Sequence, residues 1–454
     1  MALEQHTKSK KTRESIETEV KAQLTKDGVK DGSIDDFLAN AKVEASYVVP
    51  LNIVSKVDLN ALLAISTSSF YLFSKSRVIF TGFLWDIKEI SSKLHPDFTI
   101  SMVDGTQWDC RSQFCDDIIY QMRRTYLLTY YGIPETFAWP IVTDEWRQPL
   151  IYFEPEKFQF GGFARTFRTA CTYLNVSFRE DLVWDIVHNP TNQKDRSEAD
   201  PYSCNELDLS RLEELTNNDL KCIMLALRFN PFFGSLVIRD VVVSREGFAA
   251  IADMLKYNQT LRRLVFVNNS LGKDHINTLT DAFNVTPTAT HRKLEVLEIR
   301  DNNIEALNFL TKYLDVSRKS VVLSTLDLSN SGLGSKAMTS LFTTLRKSTH
   351  LYHTLLSLKI SGCKMDSESS AAAAAFLATP CALKHLDTSN TQIKLLQVLE
   401  AMTRGCIYLE TLDISQNKWV KKIEPVLVKF ITKTDSMTEL RVNGTGLSAE
   451  ALAH

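Results

Sequence analysis

The chain has 454 residues, 44% hydrophobic and 23% charged, with a formal net charge of −2 at pH 7. That length predicts more than one domain with an ordinary globular composition, and the near-neutral charge excludes a global bias toward nucleic acid. No apolar run is long enough to span a bilayer, and the N-terminus MALEQHTKSKKTRES carries no apolar signal segment, so a soluble intracellular protein is expected.

Residues 1–33 are polar, with seven Lys/Arg against five Asp/Glu over residues 1–30, which predicts a frayed or helical extension. Short strands follow within a domain expected over 34–131. The candidates are Ala45–Lys56, Ala61–Thr67, Phe70–Ser74, Arg77–Thr81, Phe83–Ile90, Phe98–Val103 and Gln107–Arg111. Turn signals punctuate them at Lys56-Val-Asp58, Ser68-Ser69 and Asp104-Gly105. A helix fits Gln113–Tyr130, with Phe114, Ile118, Ile119, Met122, Tyr126 and Leu127 on one face. About seven short strands closed by one helix is the outline of a pleckstrin-homology (PH) barrel.

Residues 132–203 read as a connector and helical cap. Pro134, Pro140, Pro149 and Pro155 make its first part irregular, and two helices follow near Phe163–Leu174 and Arg179–Val187. Phe163, Phe167, Tyr173 and Trp184 are the expected packing residues, because a stack of repeats needs a cover over its first unit.

From Cys204 onward one pattern recurs nine times. Clear copies are LEVLEIRDNNI (294–304), LSTLDLSNSGL (323–333), LKHLDTSNTQI (383–393) and LETLDISQNKW (409–419). Each approximates L-x-x-L-x-L-x-x-N-x-L, the leucine-rich-repeat signature. The second leucine falls at Leu207, Leu236, Leu264, Leu297, Leu326, Leu358, Leu386, Leu412 and Leu440, with steps of 26 to 33 residues. Strand alternation puts Leu297 and Ile299 on one face and Val296, Glu298 and Arg300 on the other. The Asn station (Asn269, Asn302, Asn417) suits a side chain that bonds backbone groups as the chain leaves the strand. Helical spacing follows in Phe248, Ile251, Met254 and Leu255, then in Met338, Leu341 and Leu345. The expected fold over 204–454 is an α/β horseshoe, with parallel strands inside and helices outside. The copy ending at Ala451-Leu-Ala-His454 has Leu447, Ala451, Leu452 and Ala453 in its helix, and its array is expected to continue.

Residues 161–186, GGFARTFRTACTYLNVSFREDLVWDI, resemble the linker-to-cap segment of the CARMIL family of actin capping-protein and myosin-I linkers. Gly161-Gly162-Phe163, Cys171, Leu174 and Trp184-Asp185 carry the likeness. The first repeat (206–236) is similar too, through Asp219-Leu220, Ala226-Leu227, Asn230 and Phe232 or Phe233. The resemblance implies a cytoplasmic, membrane-associated, non-enzymatic scaffold that regulates actin assembly and contacts the inner face of the plasma membrane. It places the basic, proline-containing capping-protein motif downstream of the repeats, and no stretch of this chain resembles that motif. A generic repeat module serving innate sensing, trafficking or GTPase regulation is the alternative.

No G-x-x-x-x-G-K-[ST], G-x-S-x-G, H-E-x-x-H or G-x-G-x-x-G motif occurs, and no catalytic residue, cofactor or metal site is expected. His350 and His353 read as a solvated turn before Leu355. The eight cysteines form no C-x-x-C pair, and several occupy apolar repeat stations, so buried reduced thiols are expected. Two surfaces remain as candidate sites. Lys8, Lys10, Lys11, Arg13, Lys56, Lys75 and Arg77 would meet anionic lipid weakly. The strand residues between the leucines, namely Arg239, Glu298, Arg300, Asp327, Lys359, His385, Asp387, Asp413, Glu439 and Arg441, would form a concave protein-binding face. Thr325, Ser329, Ser389, Thr411 and Ser415 would add short polar contacts there.

Overall fold

The computed structural model describes residues 2–54, 58–92, 94–133, 137–143, 159–188, 205–284, 294–305, 307–314 and 322–446. Contacts divide the chain into two compact units, Met1–Phe178 and Arg179–His454. Lys56, Pro134, Pro149, Pro155, Cys204, Leu447 and Ala451–Ala453 lie outside the described residues.

The first unit begins with helix α1 (Ala2–Lys26) and the short helix α2 (Ile34–Ala41), started by Ser33, whose Oγ accepts from Asp36 N at 3.2 Å. Ile16, Val20 and Leu24, four residues apart on α1, are buried, so this polar segment has an apolar stripe. Seven strands follow: β1 (Tyr47–Val54), β2 (Asp58–Ile65), β3 (Ser69–Ser74), β4 (Arg77–Phe83), β5 (Ile87–Ser92), β6 (Asp97–Met102) and β7 (Gln107–Arg111). Helix α3 (Cys115–Thr129) and strand β8 (Ile141–Thr143) complete the series. The strand expected over Phe83–Ile90 is broken by a 3-10 turn at Leu84–Asp86. Trp85 there stacks on Tyr130 at 4.1 Å and donates from Nε1 to Thr129 Oγ1 at 3.2 Å, which draws the chain out of an extended path.

The strand order is β4-β3-β2-β1-β7-β6-β5-β8, antiparallel except for the β5–β8 pair. Among the described residues no backbone pairing joins β4 to β5 or β8, so hydrogen bonds do not close the expected barrel. Ile118, Ile119, Met122 and Tyr126 of α3 are buried as the helical spacing predicts, while Leu127 is half-buried. Helix α4 (Phe163–Tyr173) belongs to this unit, with Phe163 and Phe167 fully buried. Tyr173 packs on Phe83 and Trp85 and donates to Asp86 Oδ1 at 2.9 Å.

The second unit opens with helix α5 (Glu180–His188). Its Leu182 and Ile186 are buried, but Trp184 is 63% exposed and stacks on His188, not in the core where packing was expected. Three and four residues separate Trp184 from neither of those core positions, so the helix turns it outward. Arg179 ties the start of this segment to the first repeat, donating to Glu214 O at 2.9 Å and to Asp219 Oδ2 at 3.4 Å.

Among the described residues nine strands form a single parallel sheet: β9 (Glu206–Asp208), β10 (Ser235–Arg239), β11 (Arg263–Val267), β12 (Val296–Arg300), β13 (Thr325–Asp327), β14 (Ser357–Lys359), β15 (His385–Asp387), β16 (Thr411–Asp413) and β17 (Glu439–Arg441). Helices alternate with them: α6 (Asn217–Leu227), α7 (Arg245–Tyr257), α8 (Lys273–Asn284), α9 (Asn308–Tyr313), α10 (Ser335–Lys347), α11 (Leu351–Thr354), α12 (Ser367–Leu377), α13 (Leu395–Gly405) and α14 (Glu424–Ile431). Their starts are chemically specified. Thr216 and Asp219 form a reciprocal capping box on α6, and Asp366 and Ser369 do so on α12. Phe248, Ile251, Met254 and Leu255 of α7 and Met338, Leu341 and Leu345 of α10 are buried, as their spacing predicts. His353 is exposed on α11, and His350, in the turn just before it, is half-buried, which lowers its pKa.

The nine leucines from Leu207 to Leu440 occupy one register line across the whole sheet. All are buried except Leu440, which is half-buried. Four residues beyond the leucine the chain enters the left-handed region in eight successive repeats: Asp240, Asn268, Asp301, Asn330, Gly362, Asn390, Gln416 and Gly444. Asn, Asp and Gly tolerate positive φ best, and they fill seven of those eight stations. The next residue satisfies buried backbone. Asn302 accepts from Asn269 N (3.0 Å) and Leu271 N (3.1 Å) and donates to Arg300 O (2.9 Å), and Asn417 donates to Thr388 O at 2.8 Å. Where the sequence departs from Asn, smaller donors serve: Cys363 Sγ meets Leu328 O at 3.2 Å, and Thr391 Oγ1 donates to Thr388 O at 2.8 Å.

Candidate partner-binding face

Residues immediately before and after each in-register leucine point to the opposite side of the sheet, because a strand alternates its side chains. Lys359, His385, Asp387, Asp413, Glu439 and Arg441 line one open cavity of about 370 Å³ on β14–β17. Lys359 is exposed. His385 Nδ1 lies 2.9 Å from Thr411 Oγ1, and Arg441 Nε donates to Glu439 Oε1 at 2.7 Å. Glu439 thereby raises the pKa of the Arg441 guanidinium above its ordinary value. Just ahead of β15 and β16, Lys384 donates to Glu410 at 2.6 Å, and that hydrogen bond lowers the pKa of the Glu410 carboxyl.

The aspartates have a second role. Asp327, Asp387 and Asp413 accept from the backbone N–H of Ser329 (3.0 Å), Ser389 (2.9 Å) and Ser415 (2.9 Å), turns in which the side chain holds its own chain two residues on. Asp208 does the same for Ser210 at 3.1 Å. One carboxylate oxygen of each is thus committed to the fold, and charge reversal there would break a turn as well as alter the surface.

Toward the first repeats the face is internally neutralised. Arg263 pairs with Glu206 at 2.7 Å and with Glu298 at 3.2 Å, and Arg300 pairs with Glu298 at 3.6 Å. Arg239 and Arg211 both approach Asp208, at 3.4 and 3.2 Å. Of the predicted residues, Arg239, Glu298 and Arg300 therefore lie in ion pairs, and Asp327 is buried. Glu206, Asp208 and Arg263 were missed by the sequence reading, although they flank Leu207 and Leu264 in the same phase as the residues it named.

In the first unit, Lys8, Lys10 and Lys11 fall on α1, and Arg13 pairs with Glu17 at 3.5 Å. Lys75 and Arg77 are exposed at the β3–β4 turn, beside the exposed Val78 and Ile79. No helix among the described residues is long and apolar enough to cross a membrane, and no His/Cys/Asp/Glu group among them has metal-site geometry.

A parallel sheet with one leucine line, a left-handed turn and a buried Asn ladder defines a leucine-rich-repeat protein. The model of the CARMIL family leucine-rich-repeat domain matches residues 160–454, and the chain belongs to the CARMIL family. It is 30% identical over 374 residues to Protein CARMIL of Dictyostelium discoideum, covering 81% of this chain and 34% of that protein. It is 26% identical over 413 residues to the Rho GTPase-activating protein gacW of the same organism, covering 88% of this chain and 35% of that one. Human capping protein, Arp2/3 and myosin-I linker protein 3 is 26% identical over 303 residues, covering 64% of this chain and 21% of that one. The chain thus spans about a third or less of these relatives.

Proposed function

We propose that this chain is a non-enzymatic cytoplasmic scaffold that regulates actin filament assembly, docking proteins of the actin machinery on the leucine-free face of its repeat sheet. The observation that carries the reading is the family match over residues 160–454, joined to the charged open cavity on β14–β17. The sheet curves as a horseshoe in this reading, and the face is its concave side. The order β4-β3-β2-β1-β7-β6-β5, followed by α3, supports a PH-like domain over residues 34–131. Lys75 and Arg77 then give that domain weak attraction to the anionic inner face of the plasma membrane. Helix α5 then caps the repeats, which occupy 204–454; the Arg179 contacts to Glu214 and Asp219 support the cap.

Capping protein, Arp2/3 complex and myosin-I, the three named for the human relative, are the partners to test. Purified chain on beads, offered each separately, should retain at least one. Retention should fall about tenfold or more for the Lys359→Glu, Arg441→Glu variant, and equal retention by that variant would contradict the reading. A second reading, regulation of a Rho-class GTPase, is favoured by the name of the gacW relative. GTP hydrolysis accelerated by this chain would establish it, and the scaffold reading expects no acceleration.

A further inference from the structure

Cys381 and Cys406 lie in successive repeats, five and six residues ahead of the paired Leu386 and Leu412. Cys381 lies between α12 and β15, and Cys406 follows α13 on the way to β16. Both are buried, at 6% and 0% exposure, and their sulfurs are 3.8 Å apart. The backbones are joined at the same place, since Cys381 N–H donates to Gly405 O at 3.1 Å. A disulfide holds its sulfurs about 2.05 Å apart, so the pair needs to close by less than about 2 Å to bond. Gly405 makes the approach possible: a Cβ there would stand 2.2 Å from Leu377 O.

The two thiols are not equivalent. The contact between the two sulfurs lowers the pKa of Cys381, which is also the less deeply buried of the two. The same contact, with complete burial, raises the pKa of Cys406. Each sulfur also has a backbone carbonyl beside it, Gly405 O at 3.8 Å from Cys381 Sγ and Leu377 O at 3.5 Å from Cys406 Sγ. Thiolates, not thiols, attack oxidants.

We propose that Cys381 and Cys406 form an oxidation site for peroxide-class oxidants, with Cys381 attacking and Cys406 resolving. The Cys381 thiolate attacks one peroxide oxygen, an S–O bond forms, the O–O bond breaks, and hydroxide leaves; the sulfur is oxidised by two electrons and the peroxide reduced. Cys406 sulfur then attacks the sulfenic sulfur, the S–S bond forms, the S–O bond breaks, and the Cys406 proton leaves with the oxygen as water. The bridge joins the segments leading into β15 and β16, the strands that carry His385, Asp387 and Asp413. Oxidation therefore acts on the frame beneath the candidate docking face.

The test treats the folded chain with hydrogen peroxide, blocks free thiols with iodoacetamide and maps the peptides by mass spectrometry. A Cys381–Cys406 crosslinked peptide should accumulate while Cys363 stays reduced, and the thermal midpoint should rise and return on adding dithiothreitol. In Cys406→Ser, dimedone should label Cys381; in Cys381→Ser, it should leave Cys406 unlabelled. Cys→Ala versions, which keep the site apolar, give the same reading where serine lowers stability. Absence of the crosslink in chain that keeps its native circular dichroism would overturn the proposal, as would labelling of Cys406 in place of Cys381.

Discussion

Arg263 Nη1 lies 2.7 Å from Glu206 Oε2, although their strands, β11 and β9, are separated by β10. The pair bridges over Ser235, which is fully buried and donates to the same Glu206 oxygen at 3.1 Å. A larger residue at 235 would stand between the charges.

Removing the cation should be costly, because both partners are largely withdrawn from water, with side-chain exposures of 14% and 8%. Arg263→Ala strands the Glu206 carboxylate and should lower stability by about 2–4 kcal/mol. The double variant Arg263→Met, Glu206→Leu removes the stranded carboxylate and leaves Glu298 with Arg300 at 3.6 Å, so it should recover most of that loss. Urea denaturation of the three variants checks both expectations.

The left-handed station predicts a different signature. Asn390 has φ 53°. Asn390→Val places a β-branched side chain in a conformation it resists and should cost about 1–2 kcal/mol, whereas Asn390→Gly should stay within about 0.5 kcal/mol of the wild type. Equal losses for Val and Gly would show that the side chain, not the backbone, matters there.

These two cases mark how far the fold and the site are legible in sequence. The leucine line is visible because each strand repeats the same phase, so one period places every copy. The Asn ladder is visible for the same reason at Asn269, Asn302 and Asn417. The Arg263–Glu206 bridge is not, because it depends on the small size of a third residue on the strand between. Trp184 shows the opposite failure: a large apolar residue suggests burial, but its angular position on α5 turns it away from Leu182 and Ile186. The break at Leu84–Asp86 was hidden because it follows from a stack between Trp85 and Tyr130, distant in sequence.

Buried thiols give the repeat unit a pH dependence. Burial pushes the Cys363 thiol up to about 12. In the unfolded chain the thiol ionises near 8.5, so the unfolded state loses its proton first as pH rises. Stability is therefore fully present below about pH 8.5 and declines from there toward pH 12, by about 1.4 kcal/mol per pH unit for this thiol. Urea midpoints at pH 7.5 and 9.5 should differ, and Cys363→Ala should reduce the difference.

Lipid contact should be weak and salt-sensitive. Each basic residue near an anionic surface contributes about 1 kcal/mol, and about 0.15 M salt confines that attraction to roughly 8 Å. Sedimentation with phosphatidylserine vesicles at low salt should pull down the chain. Lys75→Ala with Arg77→Ala should weaken binding by roughly tenfold or more, while binding unaffected by the change would remove this turn from the interface.

Carboxyl footprinting tests the docking face most directly. The chain is labelled with a carbodiimide and glycine ester, alone and saturated with capping protein, Arp2/3 complex or myosin-I. Binding of one of these should shield Asp387, Asp413 and Glu439 while leaving Glu368 on α12 and Glu400 on α13, both exposed, labelled as in the free chain. Protection of Glu368 and Glu400 with Glu439 and Asp413 still labelled would place the partner on the helices and contradict the account, as would the failure of all three to bind.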